Sequence, residues 1–182
     1  FARQSLAEYV KTDEWFIPTK QSFAFFNKYF DLPYPFVKYD QIMAPDFNSG
    51  AMENVGAVTF NESYISRGEK STLSKMYLAN VIAHEMAHMW FGNLVTMRWW
   101  NGLWLNESFA TFMATKFVDK FYPEWDLWNQ FVEDAMNVAM GLDSLKTTHP
   151  IDVVVNSPAE IREIFDAISY DKGGCILRML EH

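Results

Sequence analysis

The stretch Val81-Ile82-Ala83-His84-Glu85-Met86-Ala87-His88 sets two imidazoles and a carboxylate inside an otherwise apolar run, and any fold has to accommodate that. The histidines are four apart, so on a helix they stand one above the other on a single face. A helix is expected here. Ser71 or Thr72 is a suitable N-cap, and Gly92 suits the left-handed position that ends a helix. Tyr77, Val81, His84, His88 and Phe91 recur at helical spacing, which predicts one stripe with both imidazoles turned inward. Glu85 lies about a third of a turn away from that stripe. Burying such groups is costly unless something binds them.

A metal ion meets that demand. Two histidines at this spacing hold one ion from two corners, with the intervening Glu free to act as a base. Catalytic zinc takes three protein ligands and keeps a fourth position open. Glu107, in Trp104-Leu105-Asn106-Glu107-Ser108-Phe109-Ala110, is the candidate third ligand, early in the next predicted helix and separated from His88 by 18 residues. Its apolar neighbours make an uncoordinated carboxylate expensive to bury. Two neutral imidazoles and one carboxylate leave such a centre positive, able to polarise a carbonyl and to acidify water. Glu85 is then placed to take a proton from water and pass it to a leaving amine. The oxyanion formed needs a donor besides the ion.

Along the rest of the chain, a helix is expected from Pro18 to about Tyr29, with Phe23, Phe26 and Phe30 at helical spacing, stopped by Pro33 and Pro35. Segments of β character run from Val37 to Ala44 and from Val55 to Phe60, joined through PDFNSGAMEN. Further helices are expected from near Trp104 to before Pro123, from Pro123 and Glu124 to about Gly141, briefly after Ser157-Pro158, and from about Ala167, where Gly173-Gly174 weakens the pattern. The fold class is therefore α+β, mainly helical, with a small sheet portion near the front.

At 182 residues the chain suits one domain, 1–182. With 49% hydrophobic and 17% aromatic residues it is not a disordered sequence. A net charge of −8 argues against a nucleic-acid partner. The single cysteine, Cys175, excludes an intrachain disulfide and a thiolate metal cluster. No signal peptide and no bilayer-length apolar run is present. Neither Phe1 nor the closing Leu180-Glu181-His182 reads as a natural terminus, so a segment cut from a longer chain is expected.

HExxH followed after 18 residues by Glu is the spacing of the gluzincin peptidases, and Gly50-Ala51-Met52-Glu53-Asn54 is the GAMEN signature of M1 aminopeptidases. The sequence resembles that family through LPYPFVKYDQ, APDFNSGAMEN, HEMAHMWFGNLVTM, WLNESFA and ISYDKGG, which covers nearly the whole chain. The resemblance implies a thermolysin-like catalytic domain with one zinc ion per chain, held by His84, His88 and Glu107, and with Glu85 as general base. It implies that Glu53 binds the free α-amine of a peptide. Gly50 and Ala51 would form the strand edge whose backbone pairs with the bound peptide, a β-addition mode, with Met52 and Asn54 of the same signature also binding substrate. An α-amine titrates near ~8, so it carries charge at neutral pH.

Tyr170 matches the family tyrosine that donates to the oxyanion; from the residues alone a tyrosine in an apolar helix is more often a core residue, and only the resemblance reverses that reading. Asn106 would sit behind the ligands, and Lys172 reads as a solvated side chain. The implied partners are peptides with a free N-terminus and flanking domains of the same chain, with no membrane contact from this segment. A cytoplasmic location is expected, with an extracellular ectodomain as the alternative. Three other readings compete, the first being a zinc endopeptidase, in which Glu53 would obstruct a chain running past the amine site. The leukotriene A4 hydrolase type carries GGMEN where this chain has GAMEN. Non-catalytic M1-like domains in transcription-initiation subunits lose ligands or base, whereas His84, Glu85, His88, Glu107, Glu53 and Tyr170 are all kept here.

Overall fold

In the computed structural model, which describes residues 1–181, the first long helix begins six residues before Pro18. This helix, α1 (Thr12–Tyr29), opens with Asp13 and Glu14, which favour the positive end of the helix dipole. A proline inside a helix costs about 3 kcal/mol. Trp15 lies upstream of Pro18, and only a helix continuous through the proline lets it share the interior with Phe25 and Phe26. Burial of three large rings, at about 1.5–3 kcal/mol each, outweighs the penalty. Thr19 and Ser22 donate their hydroxyls to the carbonyls of Trp15 and Pro18, each at 2.7 Å.

The chain divides into two compact units, Phe1–Leu94 and Val95–His182. In the first, strands β1 (Asp40–Ala44), β2 (Ala51–Met52) and β3 (Ala57–Asn61) form a sheet in the order β1-β3-β2. β1 and β3 run parallel, with Asp40 opposite Ala57 and Ala44 opposite Asn61. β2 is antiparallel to β3, pairing Ala51 with Phe60 and Met52 with Thr59. Alternation puts Gln41, Met43, Val58 and Phe60 on the buried face. There the Trp15 ring meets Phe60 edge-on at 5.2 Å, and Gln41 Nε2 donates to Thr19 Oγ1 at 3.0 Å. The strand does not begin at Val37, which is fully exposed and has no neighbour to pack against.

Helix α2 (Thr72–Ala87) is capped by Ser71, whose Oγ accepts from Ser74 N at 3.1 Å. Its buried residues are Met76, Leu78, Ala79, Ile82, Ala83, Glu85, Met86 and Ala87, while Tyr77 is 53% exposed. The interior face is therefore not the stripe expected from Tyr77 through Val81 to His84. The helix is apolar nearly all round, so periodicity alone does not choose a face; α1, packed along it, does. Regular helix ends at Ala87 instead of Gly92, and a tight irregular turn follows. Gly92 sits in that turn at φ 130, a backbone setting that favours glycine. Trp90 donates Nε1–H to the Leu32 carbonyl at 3.1 Å and lies among Phe26, Phe30 and Tyr34.

The second unit is built on α3 (Leu103–Phe121), which packs against a π-helical segment, Ile168–Lys172, and the helix that continues it, α7 (Gly173–Glu181). The helix expected from Pro123 is broken up. A 3-10 turn, Pro123–Trp125, ends at Asp126 with φ 49. Then come α4 (Leu127–Gln130), a π-helical stretch Phe131–Met136, and α5 (Asn137–Asp143). The short α6 (Pro158–Ile161) follows Ser157 as expected, although Ser157 Oγ donates to Glu160 Oε1 at 3.0 Å instead of accepting from the backbone. No described helix is long and apolar enough to cross a membrane.

Candidate metal centre and substrate edge

His84 Nε2 and His88 Nε2 face each other at 3.0 Å, with the rings nearly perpendicular at 81°. His88 is 1% exposed and stands just past the last regular turn of α2. Its Nδ1 lies 3.0 Å from the Phe91 carbonyl oxygen. A carbonyl can only accept, so His88 carries its proton on Nδ1 and turns the lone pair of Nε2 towards His84. Two ring nitrogens aimed at one spot repel each other unless a cation or a shared proton lies between them. Two corners of a zinc tetrahedron with nitrogen ligands are separated by roughly 3.3 Å. The donor set and its spacing therefore fit a divalent metal, with the Phe91 carbonyl orienting one ligand from behind.

Two carboxylates join this turn. Glu85 is 4% exposed, on the interior face of α2. The ligand atoms of Glu53, Glu85 and His88 all lie within 4.8 Å of one another, and Glu53 Oε1 is 4.0 Å from His88 Nδ1. A buried and a partly buried carboxylate this close call for a cation, whether a metal or an ammonium group. Tyr39 and Tyr64 respond to the same field: burial, and after it the negative charge of Glu85, push both phenols up, so they remain protonated donors.

The GAMEN segment is tied to α2 by Asn93, which donates Nδ2–H to the Glu53 carbonyl at 2.8 Å. Asn93 N in turn donates to the His88 carbonyl at 3.0 Å. Ala51 and Met52 form β2, the outer strand of the sheet, and Met52 is exposed. The Gly50 carbonyl accepts from Asn61 N at 2.8 Å, and a Cβ at Gly50 would stand 2.9 Å from Tyr64 Oη. Asn54 is engaged in the turn itself. Its Nδ2 reaches Thr59 Oγ1 at 3.3 Å and its carbonyl accepts from Ala57 N at 3.0 Å.

In the second unit Glu107 is 5% exposed in the early part of α3, flanked by the buried Asn106 and Ser108. Tyr170 is half-buried in the Ile168–Lys172 segment. Lys172 is not a solvated side chain: its Nζ donates to Asp143 Oδ1 at 2.6 Å. Asp171 beside it is pushed up to about 6 by burial and by the charge of Asp166.

The structure thus brings Glu53, Glu85, His84 and His88 together within the first unit, and sets Glu107 and Tyr170 on facing helices of the second. Asn93, Tyr39 and Tyr64 join the site without a role expected of them, and Phe91, expected only as the last residue of the helical stripe, joins through its carbonyl. Asn93, a polar residue in the turn after an apolar helix, was the one with a readable signal.

Residues 16–182 match the family described as Peptidase family M1 domain. The chain is 53% identical over 163 residues to the Tricorn protease-interacting factor F2 of Thermoplasma volcanium, covering 89% of this chain and 21% of that protein. It is 50% identical over 163 residues to Aminopeptidase M1-D of Oryza sativa subsp. japonica, covering 88% and 19%. To the Leucyl aminopeptidase of Saccharolobus solfataricus it is 48% identical over 164 residues, covering 90% and 21%. The chain spans about a fifth of the length of these relatives.

Proposed function

Because this chain belongs to peptidase family M1, we propose that it is the catalytic segment of a zinc-dependent aminopeptidase, acting on peptides with a free N-terminus. The observation that carries the reading is the His84–His88 pair, its Nε2 atoms 3.0 Å apart and one ring fixed from behind by the Phe91 carbonyl. The names of two relatives, both aminopeptidases, support it. In this reading the domain is thermolysin-like, and His84, His88 and Glu107 hold the ion. When bound, zinc supplies a Lewis acid that polarises the scissile carbonyl and makes water acidic enough to ionise near neutral pH.

The residues of the chain do the rest. Glu85 accepts the proton of the attacking water and returns it to the departing amine. Burial raises the worth of that carboxylate as a base by depriving it of competing solvent. Glu53 receives the α-ammonium group of the substrate at a fixed distance from the scissile bond, which limits the enzyme to one residue per cut. The outer edge of β2, Ala51 and Met52, pairs with the substrate backbone, and the close approach of Gly50 to Tyr64 sets how that edge is presented. Tyr170 donates its hydroxyl to the oxyanion.

The test is hydrolysis of a panel of aminoacyl anilides by the polypeptide carrying this segment, against the same compounds N-acetylated. Cleavage of free-amine substrates alone, lost with a chelator and restored by zinc, is the expected result. Cleavage of the acetylated compounds would overturn the role of Glu53, and turnover unaffected by chelation would overturn the role of the metal.

A further inference from the structure

The carbonyl of Ser169, the residue before Tyr170, accepts a hydrogen bond from Ser108 Oγ at 2.5 Å. Ser108, the residue after Glu107, is fully buried, and Ser169 is 1% exposed. In a regular helix the Ser169 carbonyl would be taken by the amide of Gly173, four residues on. Here the Gly173 amide reaches instead to the carbonyls of Ile168 and Tyr170, five and three residues back, which is the π-helical turn. The Ser108 hydroxyl has taken the donor position that Gly173 vacates. It can do so because Gly173 has no side chain. A Cβ there would overlap Ser108 Oγ and stand 2.7 Å from Ser108 Cβ and 3.1 Å from Ile151 Cδ1. At the other end of the segment Asp166 Oδ1 accepts from the amides of Ile168 and Ser169 at 3.0 and 3.2 Å, and its Oδ2 meets His149 Nε2 at 2.9 Å.

One extra residue in a helical turn rotates everything on one side of it by about a third of a turn. Tyr170 lies inside that turn, so its direction is set by whether the turn is π or α. We propose that Ser108 and Gly173 are positioning residues for Tyr170. Ser108 holds the π turn open from the helix that carries Glu107, and Gly173 admits it. A single buried hydrogen bond between the neighbours of Glu107 and Tyr170 then fixes the oxyanion donor relative to that helix. This inference rests on the reading of Tyr170 as that donor.

The experiment compares Ser108→Ala, Tyr170→Phe, the two combined, Gly173→Ala, and Gly173→Ala with Ser108→Gly, all in the zinc-loaded protein. Ser108→Ala is expected to lower kcat about 10-fold with KM within 3-fold and zinc content unchanged, and to speed amide exchange at 168–173 even without zinc. In the Tyr170→Phe background the same change should cost nothing further, because there is no hydroxyl left to position. Gly173→Ala should lower kcat more, and Ser108→Gly should restore part of it by clearing the space the new methyl needs. If Tyr170→Phe alone leaves kcat intact, the donor reading fails and the proposal with it. If Tyr170→Phe lowers kcat but Ser108→Ala is silent, or lowers it equally in both backgrounds, the donor reading stands and the positioning proposal is overturned.

Discussion

His88 Nδ1 and the Phe91 carbonyl oxygen lie 3.0 Å apart, and that contact exists because α2 stops at Ala87. Had the helix continued to Gly92, the Phe91 carbonyl would point along the axis towards the next turn. The irregular turn swings it back onto the imidazole instead. The Phe91 amide still bonds to the Ala87 carbonyl at 3.1 Å, so the turn gives up little backbone bonding in doing this. The early end of the helix is thus part of what shapes the candidate metal site.

The pair of Nε2 atoms predicts the effect of removing one of them. His84→Ala should weaken zinc binding by at least about 100-fold, since loss of an outer partner alone costs 10- to 100-fold. Competition with a chromophoric chelator reads this directly. A variant that held zinc with the parent affinity would show that His84 is not a ligand.

Glu85→Gln should have the opposite profile. The amide keeps the shape and the burial but cannot accept the proton, so zinc content should be unchanged while kcat falls about 10²- to 10⁴-fold. Turnover near the parent value would mean that the base is another group.

Asn93 should act on specificity through Glu53. It holds the Glu53 carbonyl at 2.8 Å and is itself held by the His88 carbonyl, so it fixes the distance between Glu53 and the histidines. Glu53→Ala is expected to raise KM for free-amine substrates and to erase their advantage over N-acetylated ones. Asn93→Ala should move both quantities the same way by up to about 10-fold, the worth of one hydrogen bond. A change in kcat without a change in that discrimination would contradict the link.

Much of the candidate site was legible because its residues are marked by their spacing. Two histidines four apart, a glutamate after a fixed interval and the GAMEN run each survive as a pattern in one dimension. The helix α3 was legible too, bounded by Trp104 on one side and Pro123 on the other, within a residue or two. What was not legible depends on which neighbour wins. The buried face of α2 was decided by α1 and not by the period of its own residues. The start of α1 was decided by the burial of Trp15 over the preference of Pro18 for a first turn. In the π turn at Tyr170 the Ser169 carbonyl is taken by a serine 61 residues earlier in the chain, a partner that no local reading could contain.

Asp171 supplies a prediction about stability and pH. Its carboxyl is pushed up from 3.8 to about 6, chiefly by burial and then by the charge of Asp166, so the folded protein holds this proton more tightly than the unfolded chain does. Where the folded state binds more protons, stability falls as pH rises. The contribution of Asp171 is therefore fully present below about pH 4 and is lost as pH climbs to about 6 and beyond. A shift of this size corresponds to roughly 3 kcal/mol at most, and about 2 kcal/mol once partial solvent access is allowed for. Asp171→Asn cannot ionise and should escape the loss. Urea unfolding at pH 4 and pH 7 should show the variant gaining about 2 kcal/mol on the parent between the two. An equal difference at both pH values would mean that Asp171 ionises freely in the folded state, and that the charge of Asp166 and the burial of the segment do not act on it.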